Sequence, residues 1–462
     1  MKYSILIDFG STFTKLTVVD LVSKKICCTY RTASTVQTNA AIGLCNCLDA
    51  ASKVIGRGSV RDSLKLASSS AAGGLRMIVV GLTESLSITA GRNAAYGAGG
   101  KVLKFFSGLL SDHDVENIIM IDPEIIFLCG GYEGGNSEWV FRNAVSLAKN
   151  PNINVPVVYG GNSQVAEEIR RIFHQQRKIC IIADNIIPTI GNLNIESSVA
   201  IVRDLFMKRI TRMKGFDTVK QYVGSITMPT PAAVLQGVKL LAKGTKNQQG
   251  WGALLLIDMG GATTDVHSYA VQESLEGVHL VGAREPNIKR TVEGDMGARE
   301  SCNSLLEAAD IHRIQHISNL TVEAIKESCQ KRLSHHEFIA VTDQELAFET
   351  AITMEAVRIS TRRHAGCIFN GFAEGVQKIQ KGKNLRQVKT IIGTGGPIID
   401  SLYPKRILSE ALRSKEDEWV LLPDKAEFYI DDSYIFYAAG LLAQVDPELA
   451  FYILSHNLKK LN

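Results

Sequence analysis

Two short segments far apart in one chain share an order of residues that few folds accommodate. Residues 4–15 (SILIDFGSTFTK) and 254–265 (LLLIDMGGATTD) each run an apolar stretch into an aspartate, then glycine, then hydroxyl side chains. A continuous apolar run reads as a strand buried on both faces. A glycine just past its end permits a tight turn whose amides and hydroxyls can meet an anion. In the first segment Gly10 turns the chain, Ser11, Thr12 and Thr14 follow as donors, and Lys15 adds a full positive charge. In the second, Gly260 and Gly261 turn it, and Thr263 and Thr264 follow. Asp8 and Asp258 stand at the strand ends, placed to hold Mg²⁺ through water, since Mg²⁺ keeps most of its hydration shell. Two aspartates facing one anion need a cation between them, a part that Mg²⁺ and Lys15 would fill. Two further segments, 126–136 (IFLCGGYEGGN) and 389–400 (KTIIGTGGPIID), also run a β-branched stretch into glycines.

Bulk properties narrow the class. At 462 residues the chain exceeds one hydrophobic core, and 45% apolar with 21% charged residues is the composition of a globular protein. A net charge of +4, spread along the chain, gives no electrostatic footprint for nucleic acid. No apolar run approaches the ~20 residues that span a bilayer, and the N-terminus enters a strand directly without a secretory leader. The nine cysteines include Cys27-Cys28 and a Cys45-Asn46-Cys47 pair but no zinc-type spacing. They read as reduced, mostly buried thiols of a cytoplasmic protein. The basic cluster Arg358, Arg362, Arg363 and His364 reads as a solvated helix face or a contact between lobes in preference to an anion site. His267, two residues past Asp265, reads as an outward-facing strand residue and not a base.

Alternating patterns divide the chain into a first lobe over 1–80, an inserted parallel α/β domain over 81–194, completion of the first lobe over 195–245, and a second lobe over 246–462. Within the insert a helix is expected over 83–107, strands near 124–129, 155–159 and 178–183, and helices over 137–149 and from Asn162 or Ser163. Further helices are expected over 195–208, 232–243, 296–306, 344–364 and 434–443. The insert carries no nucleotide fingerprint. Its Gly130-Gly131 and Gly134-Gly135 pairs could line an anion or partner site, or form a plain tight connection.

Taken in order, these segments resemble the five-part signature of the actin/Hsp70/sugar-kinase superfamily. Residues 8–15 match the first phosphate loop, 229–237 (PTPAAVLQG) the first connecting helix, and 258–265 the second phosphate loop. Residues 393–397 (GTGGP) match the adenosine loop, and 434–443 the second connecting helix, with Gly440 as its close-packing residue. Residues 293–298 (EGDMGA) resemble the Hsp70 turn that opens a helix beside the nucleotide. The resemblance implies a two-lobed, ribonuclease H-like α/β ATPase fold that binds ATP or ADP with Mg²⁺. It makes Asp8, Asp258 and Lys15 the catalytic groups. Glu293, Gly393, Thr394, Gly395 and Gly396 join the turn residues as nucleotide contacts. One position departs: where Hsp70 has a metal-organising glutamate before its Pro-Thr, this chain has Met228, which implies slow hydrolysis or another residue in that role.

A closer resemblance spans nearly the whole chain. Residues 7–15 (IDFGSTFTK), 67–75 (ASSSAAGGL), 129–136 (CGGYEGGN), 185–191 (NIIPTIG) and 293–299 (EGDMGAR) resemble the glutamate mutase accessory family called MutL or GlmL, unrelated to the mismatch-repair protein of similar name. The family implies a chaperone-like reactivating factor, a slow Mg²⁺-dependent ATPase whose partner is an adenosylcobalamin-dependent mutase or aminomutase, with a homodimer left open. Two other readings stand beside it. A small-molecule kinase on the same fold would need a sugar pocket, and Trp139, Trp251 and Trp419 all lie away from the phosphate loops. An iron–sulfur activator would draw its ligands from the widely spaced Cys302, Cys329 and Cys367.

Overall fold

The structure is a computed structural model that describes residues 1–10, 12–70, 75–210, 214–224, 226–335, 338–371 and 378–462. The chain lays down β1 (Tyr3–Phe9), β2 (Phe13–Asp20), β3 (Lys25–Ala33) and β4 (Leu64–Ser69). It then builds a separate sheet from β5 (Leu75–Gly81), β6 (Gly100–Ser107), β7 (Ile125–Gly130), β8 (Val157–Gly161) and β9 (Cys180–Ile182). It returns with β10 (Ile226–Pro229) against β4, so the first sheet runs β10-β4-β1-β2-β3. Later come β11 (Leu254–Met259), β12 (Thr264–Tyr269), β13 (Ile288–Glu293), β14 (Thr390–Thr394), β15 (Glu427–Ile430) and β16 (Lys459–Lys460), in the order β13-β12-β11-β14-β15-β16.

The first and last of these sheets repeat one topology. In each, three consecutive strands form antiparallel hairpins, and a fourth and fifth add in parallel on the other side of the first. This is the duplicated ribonuclease H-like sheet of the actin/Hsp70-like class. The middle sheet is all parallel, in the order β6-β5-β7-β8-β9.

By contact the chain divides into two compact units. One holds Met1–Gly237, Val281–Pro286 and Tyr437–Ile453; the other holds Val238–Leu280, Asn287–Phe436 and Leu454–Asn462. The middle sheet belongs to the first unit, and the alternation along its strands explains why. Met77, Val79, Phe127 and Cys129 join the core of the first sheet, while Ile78, Val80, Ile126 and Leu128 point the other way into a core of their own. One face is therefore shared through the helices Thr89–Gly97 and Glu196–Ile210. The short stretch Val281–Pro286 docks on the same unit, with Ala283 N donating to Ser85 O at 2.9 Å and Asn93 Nδ2 to Glu285 Oε2 at 3.2 Å. Among the described residues no helix is long and apolar enough to cross a membrane.

Two expected helices are shorter than their patterns suggested. The one expected over 83–107 ends at Gly97 and gives way to β6. Gly99 sits at φ +90°, a conformation that ends a helix, and a Cβ on Gly100 would lie 2.6 Å from Met77 Sδ, where the strand pairs closely. The helix expected over 296–306 starts only at Cys302, because the preceding residues dock as a turn. Asp112–Ile121 is a helix that the patterns missed, although Ser111 and Asp114 form its capping box.

The helices Thr230–Lys243 and Ile435–Leu442 meet where expected. A Cβ on Gly440 would lie 1.8 Å from Ala233 O. Tyr437 Oη, one turn away, lies 3.2 Å from Thr17 Oγ1 and 3.4 Å from Leu6 O, fixing the second helix to the first sheet. Gly440→Ala gains about 1 kcal/mol of helix propensity, but overpacking against rigid backbone costs about 1–3 kcal/mol or more. The overlap decides the sign. We expect Gly440→Ala to lower the urea midpoint, and an unchanged or raised midpoint would show that the helices separate freely.

Candidate functional site

Each ribonuclease H-like sheet ends its first hairpin in the same way. Gly10 N donates to Phe13 O at 3.0 Å, and Gly260 N donates to Thr263 O at 2.9 Å, so each loop has two residues between its closing pair. Ser34 braces the first loop from β3's end, its hydroxyl donating to Gly10 O at 2.6 Å while its amide donates to Thr12 O at 2.8 Å. Thr12 is exposed at the tip, and Ser11 lies outside the described residues.

The registers of the two hairpins match as well. Asp8 pairs with Lys15 across β1 and β2, and Asp258 pairs with Asp265 across β11 and β12. The position that is a cation in the first hairpin is thus an anion in the second. Arg290 compensates it, with Nη2 3.1 Å from Asp265 Oδ1. Burial raises the Asp265 pKa, and the arginine opposes that rise.

Asp8 is 2% exposed. Ser68 Oγ donates to its Oδ1 at 3.2 Å, and Thr230 Oγ1 donates to the same oxygen. Burial pushes the Asp8 carboxyl above its ordinary value, and the Lys15 charge and the two hydroxyl bonds pull it back in part. A buried carboxylate with one cation across the strand and hydroxyl donors on one of its oxygens fits a hydrated divalent cation. Sequence reasoning missed Thr230 and Ser34; Ser68 lies in β4, level with Asp8. The Pro-Thr-Pro at 229–231 was legible, but nothing in it says the hydroxyl turns back to β1.

Other candidates face elsewhere. Thr14 is buried, and its hydroxyl would lie 2.8 Å from a Cβ on Gly43 of the helix Ala40–Ile55, on the opposite face from Asp8 and Lys15. Thr264 donates to Met296 O, and Thr394 to Asp431 O at 3.0 Å, so both buried hydroxyls hold backbone. Thr263 and Gly261 stay at the second loop, with Arg299 beside Gly261. Glu293 ends β13 and pairs with Arg363, which also holds Asp295 at 2.8 Å. The turn they flank seats on the second loop: Ala298 N donates to Gly260 O at 3.1 Å and Arg299 N to Gly261 O at 2.8 Å. A Cβ on Gly297 would lie 2.3 Å from Gly261 O, which explains that glycine.

Two expectations change, and one open alternative narrows. The basic cluster forms neither a solvated face nor an anion site, because Arg358, Arg362 and Arg363 are spent on Glu355, Asp417 and the Glu293–Asp295 pair. His267 points inward and is 2% exposed. The glycines after β7 form a tight connection, since a Cβ on Gly131 would lie 2.5 Å from Asn136 O and one on Gly130 would lie 2.7 Å from Leu82 Cγ.

The profile of the family described as MutL protein matches residues 4–458. The chain belongs to the MutL family. Protein MutL of Clostridium tetanomorphum is 39% identical over 463 residues, covering all of both chains. Solved structures are far more distant. A glycerol dehydratase reactivase aligns at 10% identity over 96% of this chain and 99% of its own, with a TM-score of 0.36. A xylulose kinase from Bifidobacterium adolescentis aligns at 10% identity over 100% and 96%, with a TM-score of 0.33.

In this MutL-family chain the glycines of the candidate loops separate into two kinds. Gly10 and Gly395 are required by the backbone: a Cβ would lie 2.5 Å from Phe13 O and 2.0 Å from Met259 O respectively, and Gly395 has φ +90°. Gly260 and Gly396 have room, with nearest atoms at 3.6 Å. Gly395→Ala should therefore destabilise the second unit whether or not a ligand binds. Gly260→Ala and Gly396→Ala should fold within about 0.5 kcal/mol of wild type yet weaken any ligand that needs those backbones bare. Denaturation midpoints together with ADP titrations check both halves of this expectation.

The raised Asp8 carboxyl gives a stability prediction of definite sign. Its folded pKa lies above the unfolded value near 4, so the native state binds more protons between the two. Stability then falls as pH rises through that window and stays lower above it. At pH 7 without ligand, Asp8→Asn should raise the denaturation midpoint, with the gain disappearing below about pH 4. A lower midpoint for the variant at pH 7 would mean that the Lys15 pairing outweighs burial.

Proposed function

We propose that this MutL-family protein is an ATP-binding, slowly ATP-hydrolysing accessory factor that reactivates or loads an adenosylcobalamin-dependent mutase or aminomutase, of which glutamate mutase is the model client. The observation that carries the nucleotide reading is the pair of two-residue glycine hairpins, closed alike and each preceded by an aspartate in the same register. Their amides, with the Lys15 charge, suit phosphate oxygens, and the loop at 393–396 suits the adenosine. Asp8 and Asp258 would hold Mg²⁺ through water, and the ion, when bound, neutralises phosphate charge. Hydrolysis would proceed by in-line attack of water on the γ-phosphorus, breaking its bond to the bridging oxygen and releasing phosphate. Met228, 6% exposed in the place of an expected glutamate, supports a slow rate, since a thioether neither orients nor deprotonates water.

Residues 81–194 are the proposed client contact. Family membership supports an accessory role, and the middle sheet carries no nucleotide turn of its own, which supports a surface for another protein. Mg-ATP and Mg-ADP at about 100 times their dissociation constants should each stabilise the protein by about 2.7 kcal/mol, read as a raised melting temperature. Hydrogen exchange on the complex with a cobalamin-dependent aminomutase should protect residues 81–194 differently with ATP and with ADP. No thermal shift at millimolar Mg-nucleotide would end the nucleotide reading. Phosphorylation of a small metabolite by the purified protein would replace the accessory role with a kinase.

A further inference from the structure

Lys15, Asp8, Ser68 and Met228 stand level on β2, β1, β4 and β10, forming one row across the first sheet. Residues level in adjacent strands share a face and touch. Along this row Asp8 is the single carboxylate, and methionine sulfur is too soft a ligand to help a magnesium ion. A lone carboxylate is a poorly defined ligand, because rotation about its terminal torsion is broad and lets it present either oxygen or both.

Here that rotation is arrested. Ser68 Oγ and Thr230 Oγ1 both donate to Oδ1, and the two hydroxyls lie 3.4 Å apart. Oδ2 sits beside the phosphate turn, 3.7 Å from where a Cβ on Gly10 would be. Thr230 is itself held stiffly. It opens the helix Thr230–Lys243 between Pro229 and Pro231, whose rings fix φ on both sides, and its β-branch restricts χ1. The helix is further pinned at Ala233 by Gly440.

We propose that Thr230 is a positioning residue that sets the metal preference of this site: by occupying Oδ1 together with Ser68, it leaves Asp8 a one-oxygen acceptor suited to hydrated Mg²⁺ and unsuited to the two-oxygen grip that Ca²⁺ favours. The inference rests on the reading of the chain as a Mg-nucleotide-binding protein and adds the residue that makes it selective.

The test is calorimetric titration of ADP into the full-length protein with Mg²⁺, with Ca²⁺ and with EDTA, for wild type, Thr230→Val and Thr230→Ser. Thr230→Val keeps the shape and removes the donor. It should raise the Mg²⁺ concentration for half-maximal ADP affinity about tenfold, the effect of one hydrogen bond to a charged group. It should change the Ca²⁺ response less and leave ADP binding in EDTA unaltered. Thr230→Ser should restore the wild-type preference. An equal loss of ADP binding in EDTA would assign Thr230 a purely structural role and overturn the proposal. So would a Thr230→Val protein that responds to both metals as wild type does. If Thr230→Val fails to fold, Ser68→Ala removes the other donor to Oδ1 and should show the same loss of metal preference to a smaller degree; an unchanged preference overturns the proposal. A wild type indifferent to Mg²⁺ when binding ADP would overturn the inference while leaving nucleotide binding in place. A wild type that binds no ADP under any condition overturns the nucleotide reading itself.

Discussion

Burying a carboxylate at the end of a strand is the constraint around which the first unit is arranged. Removing such a charge from water costs several kcal/mol unless nearby groups compensate, and Asp8 is almost wholly buried. Everything adjacent to it answers that cost. Lys15 lies level on the next strand, Ser68 level on the other side, and Thr230 reaches back from the following helix. Each compensating group comes from a different element, so the carboxylate ties β1, β2, β4 and a helix into one polar knot at the sheet's end. The compensation is partial, as the raised pKa shows. A site left in partial deficit gains by taking in a cation.

The second unit uses the same hairpin with its charges rearranged. Asp258 and Asp265 are level and alike in sign, and Arg290 from the neighbouring strand takes up Asp265. The turn after β13 is bonded to the loop through Ala298 and Arg299, and Arg363 at the end of the long helix Asp343–His364 holds that turn by its two carboxylates. The first loop, by contrast, is braced by Ser34 from the end of β3. Equal backbone geometry thus comes with unequal support, which is what two copies of one topology show once each has specialised.

Much of this was legible in the residues. Apolar runs followed by Asp and Gly located β1, β11 and their turns, because burial on both faces leaves little other reading. Gly440 was legible as a close contact through the resemblance of residues 434–443 to a second connecting helix. Hydroxyl direction was not legible. Thr14, Thr264 and Thr394 sit in sequence beside the turns, yet strand alternation sends Thr14 to the opposite face, and the other two hydroxyls are held by carbonyls distant in sequence. Thr230 lies far from Asp8 along the chain and reaches it only through the β4–β10 pairing. The inward turn of His267 was missed for a related reason: Ser268, Thr291 and His364 form a buried polar network in the second unit, so polarity there does not mark an outer face.

The first unit is assembled from three separated stretches of chain, the last of them Tyr437–Ile453. Its helix at Gly440 closes over Ala233, and Tyr437 reaches Thr17 and Leu6 near the beginning of the sequence. A ribosome makes these partners in the order opposite to convenience. The first sheet and its neighbour emerge early, but the helix that covers them arrives only after nearly all of the second unit has been made. Domains that close on themselves can fold as they appear; this one must wait, with the backbone of Ala233 and the hydroxyl of Thr17 uncovered throughout synthesis. Completing the first unit is therefore a late event in synthesis, although its first strands are the earliest part of the chain to be made.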